Sequence, residues 1–499
     1  MYWRHRRLII SPLRRAIGRS CFSTLENNAD PICELASSTL RYGPTSTSEV
    51  GQDLAYMNAK RILLFVDPYI AAMDPFHNVV SSIEKHVPAG HFLDIYDKIR
   101  VEPNNESFKH AIEFMSEKTR NHGPYDAVIA LGGGSTIDTA KAANLYTCYP
   151  PDDFYDYVNP PLGKGLPVPG PIVPLIAIPT TSGTGSETTG VAIFDDVPTK
   201  SKTGIAHRRL KPTLGIVDPD NTKTMSPPVA KYSGIDVLCH AIESYTAIPY
   251  TSRASGRPIS PILRPAYQGS NPISDIWALH ALRECSHYLS RIVNNPLEDS
   301  EARAKMCLAA STAGMGFGNA GVHLCHGMSY AVASQVKKYW VDGYPQVNDI
   351  VVGDVGNDHG LVPHGLSVVI NAPSVFKFTG SNLDENDPIQ KRSVDRHVEC
   401  AIILANARLQ RRGDNVTTIG QEVTSEKAMR DKPGDALANE LLELMNDLEI
   451  PIGLRSLGYS EADVEELAKG TLPQHRVTKL SPRQPVELEE LTALFKDAL

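Results

Sequence analysis

The segment GIDVLCHAIESY places Asp236 and His240 four residues apart. On a helix that spacing puts both side chains on one face, one turn apart, so a carboxylate and an imidazole can reach one cation. Further along, GNAGVHLCHGMSY offers His323 and His326, and LVPHGLS offers His364 directly after a proline. A lone D-x-x-x-H is more often a surface pair or a satisfied buried histidine, but several such residues beside a cofactor motif carry more weight. An aspartate with three histidines suits Fe2+ or Zn2+, and the donor types do not separate the two. A divalent cation in such a set lowers the pKa of a substrate hydroxyl, so hydride transfer between a carbinol carbon and a nicotinamide would need no strongly basic side chain.

The cofactor half of that chemistry has its own signals. AVIALGGGSTIDTAKAAN sets Gly132, Gly133 and Gly134 straight after an apolar strand, with Ser135, Thr136, Asp138 and Lys141 on the opening of a helix. Glycine lets the backbone come close to a phosphate, and the first free N–H groups of the helix point at it. The run is neither GxGxxG nor a Walker loop, so it carries no standard nucleotide fingerprint. A second run, IPTTSGTGSETT at residues 178–189, is dense in hydroxyls and glycines and follows another strand. Asp67, which closes RILLFVD, stands where an acid could accept from a ribose 2′-OH and favour NAD over NADP; its other reading is a strand-terminal turn aspartate.

These residues need elements to position them. Short apolar, β-branched runs alternate with polar helical stretches from about Leu40 to Asp220: RILLFVD, HFLDIYD, YDAVIALGGG, PLIAIPTT and LGIVDPD. Runs of that length bounded by Gly, Pro and Asp predict buried parallel strands with crossover helices. After Pro227, apolar residues recur every three or four positions in VAKYSGIDVLCHAIESY, ISDIWALHALRECSHYLSRIV, EARAKMCLAASTAGMGF and DALANELLELMNDL, which predicts helices. The breaker-rich DPDNTKTMSPP marks the join. The expected organisation is an α/β N-terminal nucleotide-binding domain at 30–222 and an all-α C-terminal domain at 223–499 that carries the metal and catalytic residues. Two irregular stretches, 249–272 and 340–360, are expected to be surface or lid loops.

Composition narrows the class. The first 25 residues hold six arginines and no acid, with apolar residues interleaved, the pattern of an organelle transit peptide at 1–25; the other reading is a basic tail that binds nucleic acid or lipid. Without those six positive charges and with no negative one lost, the formal net charge moves from −8 to −14. An acidic body without a basic stripe gives no footprint for a nucleic-acid backbone, so no nucleic-acid partner is expected. No apolar run reaches membrane-spanning length, and no membrane partner is expected. The eight cysteines are scattered, with no CxxC pair, which fits a reducing compartment.

GGGSTIDTAK, PTTSGTGSE, DxxxHAIE, GFGNAGVHLCHGM and PHG, in this order, resemble the iron-containing alcohol dehydrogenase family, whose fold is dehydroquinate synthase-like. The resemblance runs from Leu40 onward and implies an oxidoreductase using NAD and iron, with zinc as the other candidate, in a homo-oligomer. Carried over by motif, it implies metal ligation by Asp236, His240, His326 and His364, which would also be the catalytic set. It implies pyrophosphate contacts from Gly132, Gly133, Gly134, Ser135 and Asp138, and contacts to the rest of the nucleotide from Thr180, Thr181, Thr184 and Lys202. A branch of the family that lies behind a transit peptide is similar over RPAYQGSNPISDIWALHAL and GNAGVHLCHGMSY. That similarity implies small carboxylate substrates, with hydride passing from 4-hydroxybutyrate to 2-oxoglutarate through a retained NAD. The alternative is an alcohol dehydrogenase that releases NADH at every turnover.

Two departures stand out. Many members have a histidine four residues after the one matched by His326, where this chain has Tyr330. The stretch between His326 and His364 is also long, leaving His323 and His359 as substitute ligands. Carboxylate substrates demand a cationic anchor, and Arg253, Arg257 and Arg264 in the proline-rich stretch are candidates.

Overall fold

A computed structural model describes residues 30–199, 201–253, 256–345, 360–381, 383–384, 386–412 and 426–499. The arginine-rich segment 1–25 lies outside them.

Eight strands precede Pro227: β1 Thr39–Tyr42, β2 Arg61–Val66, β3 Phe92–Tyr96, β4 Ala127–Gly132, β5 Leu175–Pro179, β6 Val191–Asp196, β7 Ser201–Ala206 and β8 Leu214–Val217. Six form a parallel sheet in the order β1-β8-β5-β4-β2-β3. The inner strands β4, β5 and β8 are buried at every position, as a parallel sheet covered on both faces requires. The covering follows the pleat. Ile62, Leu64 and Val66 of β2 pack with Val50 and Leu54 of α1 (Val50–Tyr56) and Val79 and Ile83 of α2 (Asp74–His86). Leu63 and Phe65 point the other way, to Met115 of α3 (Asn105–His122) and Ile137 and Ala140 of α4 (Gly134–Cys148).

Strand order reverses between β2 and β4. From β2 the chain steps outward to β3, whereas from β4 it steps to β5 on the opposite side. Such a reversal opens a crevice at the carboxyl ends of the strands, where open α/β sheets bind ligands. Asp67 follows β2, Gly133 follows β4 and Thr180 follows β5, so all three lie on that edge.

The sequence runs locate β2, β3, β4, β5 and β8. They do not reveal the edge strand β1 or the antiparallel hairpin β6–β7. The hairpin sits against α3 and α4, with Phe194 and Ile205 packed on Phe108 and Leu145.

Beyond Val217, the last sheet residue, the chain is helical: α5 Pro227–Thr246, α6 Pro272–Asn294, α7 Ser300–Ala320, α8 Leu324–Ser334, α9 His364–Val369, α10 Ala372–Thr379 and α11 Pro388–Arg412, then four further helices at Pro433–Asp447, Val464–Thr471, His475–Thr478 and Leu488–Asp497. The described chain is thus an α/β sheet domain followed by an all-helical one. α5 runs through the middle of the helical part against α6, α7 and α9, and from Gly234 to Thr246 every residue is buried. None of the described helices is long and apolar enough to cross a membrane. The seven described cysteines are free thiols.

The stretch 249–272, expected as a surface or lid loop, is in part interior. Arg253, Gln268, Ser270 and Asn271 are buried, and Gln268 and Arg253 tie the stretch to residues 30–36. Its polar composition reflects these pairings rather than exposure.

Candidate metal and cofactor site

Asp236, His240 and Glu243 lie on one face of α5, and burying three ionisable groups demands partners for each. His240 Nδ1 is 3.6 Å from Asp236 Oδ2. From α8, His326 brings Nε2 to 3.4 Å from Asp236 Oδ1. From the first residue of α9, His364 brings Nε2 to 3.8 Å from the same oxygen. α9 comes this close because Gly365 has no Cβ: one there would stand 1.8 Å from the carbonyl oxygen of Tyr232. That explains a glycine directly after the proline and histidine of PHG.

Donor atoms of Asp236, His240 and His326 all lie within 4.8 Å of one another. Asp236 Oδ1, His240 Nδ1 and His326 Nε2 are buried, and none has a hydrogen-bond partner among the described residues. Buried polar atoms left unpaired cost more than a net hydrogen bond contributes, so a cluster of three aimed at one point fits a cation. The donor set is nitrogen and oxygen only, as Fe2+ or Zn2+ accepts.

The electrostatics agree. Burial by itself would raise the Asp236 carboxyl, but His240, His364 and His326 outweigh it and hold the group well below the carboxylate range. Burial pushes His240 down to about 3 and lowers His364 as well, keeping both neutral and able to ligate.

Glu243 sets the orientation of His326. Its Oε1 accepts from the backbone N–H of His323 at 3.0 Å and of Cys325 at 2.8 Å, capping α8, while Oε2 pairs with Nδ1 of His326. A carboxylate behind a ligating histidine fixes its ring and tautomer. Sequence reasoning did not assign Glu243 a role, although DxxxHAIE contains it and its place seven residues after Asp236 marks the same helix face. His323, a substitute candidate, is fully buried with Nε2 on the hydroxyl of Thr246 at 2.9 Å and Nδ1 3.3 Å from Glu243 Oε1, so its ring lies behind Glu243 rather than in the donor cluster around Asp236. His359 lies outside the described residues.

On the sheet side, α4 begins at Gly134 with no side chain capping it. A Cβ on Gly133 would lie 3.4 Å from the side chain of Thr181, and one on Gly134 only 2.7 Å from Thr184, so those hydroxyls close over the glycine turn. Gly133, Gly134, Ser135, Thr181 and Thr184 are half-buried around this mouth, whereas Gly132, Asp138, Thr180 and Lys202 are buried beneath or beside it. Thr180 donates its backbone N–H to the carbonyl of Gly132, which locks the two loops together.

Asp138 points inward. Oδ1 accepts from Ser186 at 2.5 Å and from Lys141, and Oδ2 from the backbone of Ile193 at 2.9 Å, so both oxygens are committed to protein. Asp67 accepts from the N–H of Tyr69 at 2.8 Å through Oδ1, the turn aspartate's bond, and its own N–H meets Leu131 O beside the glycines. Lys202 is ion-paired with Glu102 and lies 3.6 Å from Asp195.

Glu102, which no motif announced, joins the two halves. Its backbone N–H donates to Ser135 Oγ at 3.2 Å, at the head of α4. Burial would raise its carboxyl, but Lys202 and then His364 hold it low, so its charge is felt at both the glycine turn and the histidine cluster.

Arg253 and Arg264, considered as substrate anchors, are engaged elsewhere. They reach Asp30 Oδ2 at 2.9 and 3.0 Å, and Arg264 also reaches Glu34 at 3.2 Å. Arg257 is exposed on the same stretch.

A parallel sheet with a glycine turn at the carboxyl ends of its strands, joined to a helical body that gathers one aspartate and three histidines, defines a class. The family model for iron-containing alcohol dehydrogenase matches residues 37–219, and that for the C-terminal part of the same family matches residues 266–337. The chain belongs to the iron-containing alcohol dehydrogenase family and is an oxidoreductase. Within it, the mitochondrial hydroxyacid-oxoacid transhydrogenase of Bos taurus is 51% identical over 471 residues, 94% of this chain and 90% of that one. The solved iron-containing alcohol dehydrogenase of Thermococcus thioreducens is 27% identical, with a TM-score of 0.68 over 94% of this chain and 99% of that one. Sulfoacetaldehyde reductase from Bifidobacterium kashiwanohense, solved in complex with NAD+, shares the fold at 22% identity and a TM-score of 0.67, covering 94% and 98%.

Proposed function

We propose that this protein is a hydroxyacid-oxoacid transhydrogenase of the mitochondrial matrix. It passes hydride from 4-hydroxybutyrate to 2-oxoglutarate and yields succinate semialdehyde and 2-hydroxyglutarate. The observation that carries the reading is the convergence of Asp236, His240, His326 and His364. The extent of identity to the bovine transhydrogenase supports hydride exchange between a hydroxyacid and an oxoacid.

The four residues would hold Fe2+, with Zn2+ as the second candidate, and NAD would lie across the β2–β4 crevice. When bound, the cation supplies Lewis acidity to a carbinol or keto oxygen, and the nicotinamide accepts and returns the hydride. The remaining work belongs to the chain. Gly133, Gly134 and the uncapped start of α4 receive the pyrophosphate, with the Thr181 and Thr184 hydroxyls over it. Gly132 and Thr180 brace that turn from beneath, and Ser135 stands at its rim. Asp138 supports the wall through Ser186 and Lys141, Lys202 balances the acids Glu102 and Asp195, and the free Oδ2 of Asp67 is the ribose acceptor.

The test is to incubate the purified protein with 4-hydroxybutyrate and 2-oxoglutarate, without added nucleotide, and identify the products. Coupled formation of succinate semialdehyde and 2-hydroxyglutarate is expected. Free NADH accumulating with 4-hydroxybutyrate and added NAD, with no coupled reduction of the oxo acid, would instead identify a simple alcohol dehydrogenase.

A further inference from the structure

A four-residue helix, His475–Thr478, packs directly on α8 beside the site. A Cβ on Gly327 would lie 3.0 Å from Thr478, so the contact is backbone-close. Val477 joins one apolar cluster with Tyr267 and Phe317, and the ring of Phe317 stacks on His240 at 3.9 Å. Gln474, just before the helix, donates to the carbonyl of Lys202 at 2.9 Å. Arg476 is thus held between the wall that carries Lys202 and the helix that carries His326.

Its own contacts are unusual for a cation. Nη2 donates to Tyr330 Oη at 2.8 Å, and the guanidinium carbon lies 5.6 Å from the ring centres of both Tyr267 and Tyr330. Nη1 is buried and makes no hydrogen bond among the described residues, with the Tyr267 side chain its near neighbour. No carboxylate stands within salt-bridge distance among the described residues, whereas Lys141 has one and Lys202 has two. Aromatic faces compensate a buried guanidinium only in part, and a charge without a counter-ion is costly to keep. A site built this way is complementary to an anion that comes and goes.

Tyr330 fixes where that anion would be. It lies four residues after His326 on α8, one turn along the same face. 4-Hydroxybutyrate carries its carboxylate three carbons from the carbinol carbon, and 2-oxoglutarate carries its distal carboxylate three carbons from the keto carbon. One fixed cation can therefore register both reactants with their reacting carbon at the same place.

We infer that Arg476, oriented by Tyr330, binds the distal carboxylate common to donor and acceptor and positions each for hydride transfer. The assignment rests on the function proposed above. It gives Tyr330, where many relatives have histidine, a substrate-positioning role. It also makes one subsite responsible for selecting both acids by chain length.

The test uses the purified holoenzyme. Arg476→Gln is expected to raise KM for 4-hydroxybutyrate and for 2-oxoglutarate at least ~30-fold each, with a smaller change in kcat, as loss of a buried charge partner predicts. Single-turnover oxidation of 1-butanol, the same chain without a carboxylate, with the bound NAD as hydride acceptor and no oxo acid present, keeps its second-order rate constant within about twofold because neither reactant uses the subsite. Arg476→Lys recovers part of the loss, and Tyr330→Phe, which leaves the guanidinium in place, gives a rise of about threefold to tenfold. Wild type is expected to prefer 4-hydroxybutyrate to 3-hydroxypropionate, and Arg476→Gln to lose that preference. Calorimetric titration of 2-oxoglutarate, which needs no turnover, weakens by the same factor as KM.

Unchanged KM and unchanged 2-oxoglutarate affinity in Arg476→Gln, with wild type active on both acids, would overturn the assignment. If Arg476→Gln does not fold, an unaltered KM for both acids in Tyr330→Phe overturns it instead. A wild-type protein that converts neither acid defeats the proposed function. In that event the subsite stands or falls on the titration alone, by whether Arg476→Gln abolishes 2-oxoglutarate binding.

Discussion

Glu243 on α5 grips Nδ1 of His326 on α8 with one carboxylate oxygen and caps the backbone of α8 with the other. One acid thus fixes both where the second metal-donor helix starts and which ring nitrogen of His326 turns toward Asp236. Glu243→Gln keeps the shape but weakens the hold on the ring and its tautomer. Metal affinity is expected to fall about 10–100-fold. Competition with a chelator, followed by metal analysis of the recovered protein, measures it; affinity equal to wild type would mean that His326 is oriented without Glu243.

His364 and His323 are separated by geometry, and so should their variants be. His364 directs Nε2 toward Asp236, whereas His323 bonds Thr246 inside the core. His364→Ala is expected to lose bound cation and transhydrogenation while its thermal unfolding in chelator matches wild type. His323→Asn is expected to retain the cation and lose about 1–3 kcal/mol of stability through the broken buried hydrogen bond. Metal content paired with chelator-treated melting curves distinguishes the two, and the reverse pattern would exchange the assignments.

Cation binding should expel a proton. Burial would lower His326, but the charge of Glu243 and the nearby Asp236 carboxylate override it and raise it to about 10 in the metal-free protein. A group raised above its ordinary value holds its proton through neutral pH and loses it only as pH climbs toward the raised value. A cation taking Nε2 at pH 7 must therefore displace that proton, and affinity rises with pH across the neutral range. Calorimetry in two buffers of different ionisation enthalpy reads the proton count. A heat independent of buffer, or proton uptake, would contradict this charge state for His326.

How much of this was legible in the residues depends on where each signal resides. The spacing of Asp236 and His240 is a property of one helix, and the glycine run after β4 belongs to one strand-to-helix turn, so both could be read locally. Glu102 and Arg476 could not. Each acts through partners far away in the chain, Glu102 on Lys202 and Arg476 on Tyr330, and neither stands in a periodic or glycine-marked segment. The β6–β7 hairpin escaped because SKTGIA reads as a polar turn; Lys202 is buried there only because Glu102 and Asp195 meet it. Arg253 and Arg264 misled for the same reason in reverse, since their partner Asp30 is more than 200 residues earlier.

The glycine mouth offers a test of the nucleotide crevice independent of the metal. A Cβ on Gly134 would stand 2.7 Å from both Oγ1 and Cγ2 of Thr184, closer than carbon contacts allow. Gly134 is half-buried at the head of α4, where helix propensity favours alanine, so Gly134→Ala should fold while pushing Thr184 into the space assigned to the pyrophosphate. NAD affinity is expected to drop at least ~10-fold, with metal content unchanged, because the displaced side chain blocks close approach of phosphate to the helix N-terminus. Adding Thr184→Ala removes both clashing atoms and is expected to recover part of the affinity despite the lost hydroxyl. Fluorescence titration with NADH across wild type, the two single variants and the double variant measures the coupling. Additive losses, with no recovery in the double variant, would mean that Thr184 does not close over the glycine turn when the nucleotide is bound.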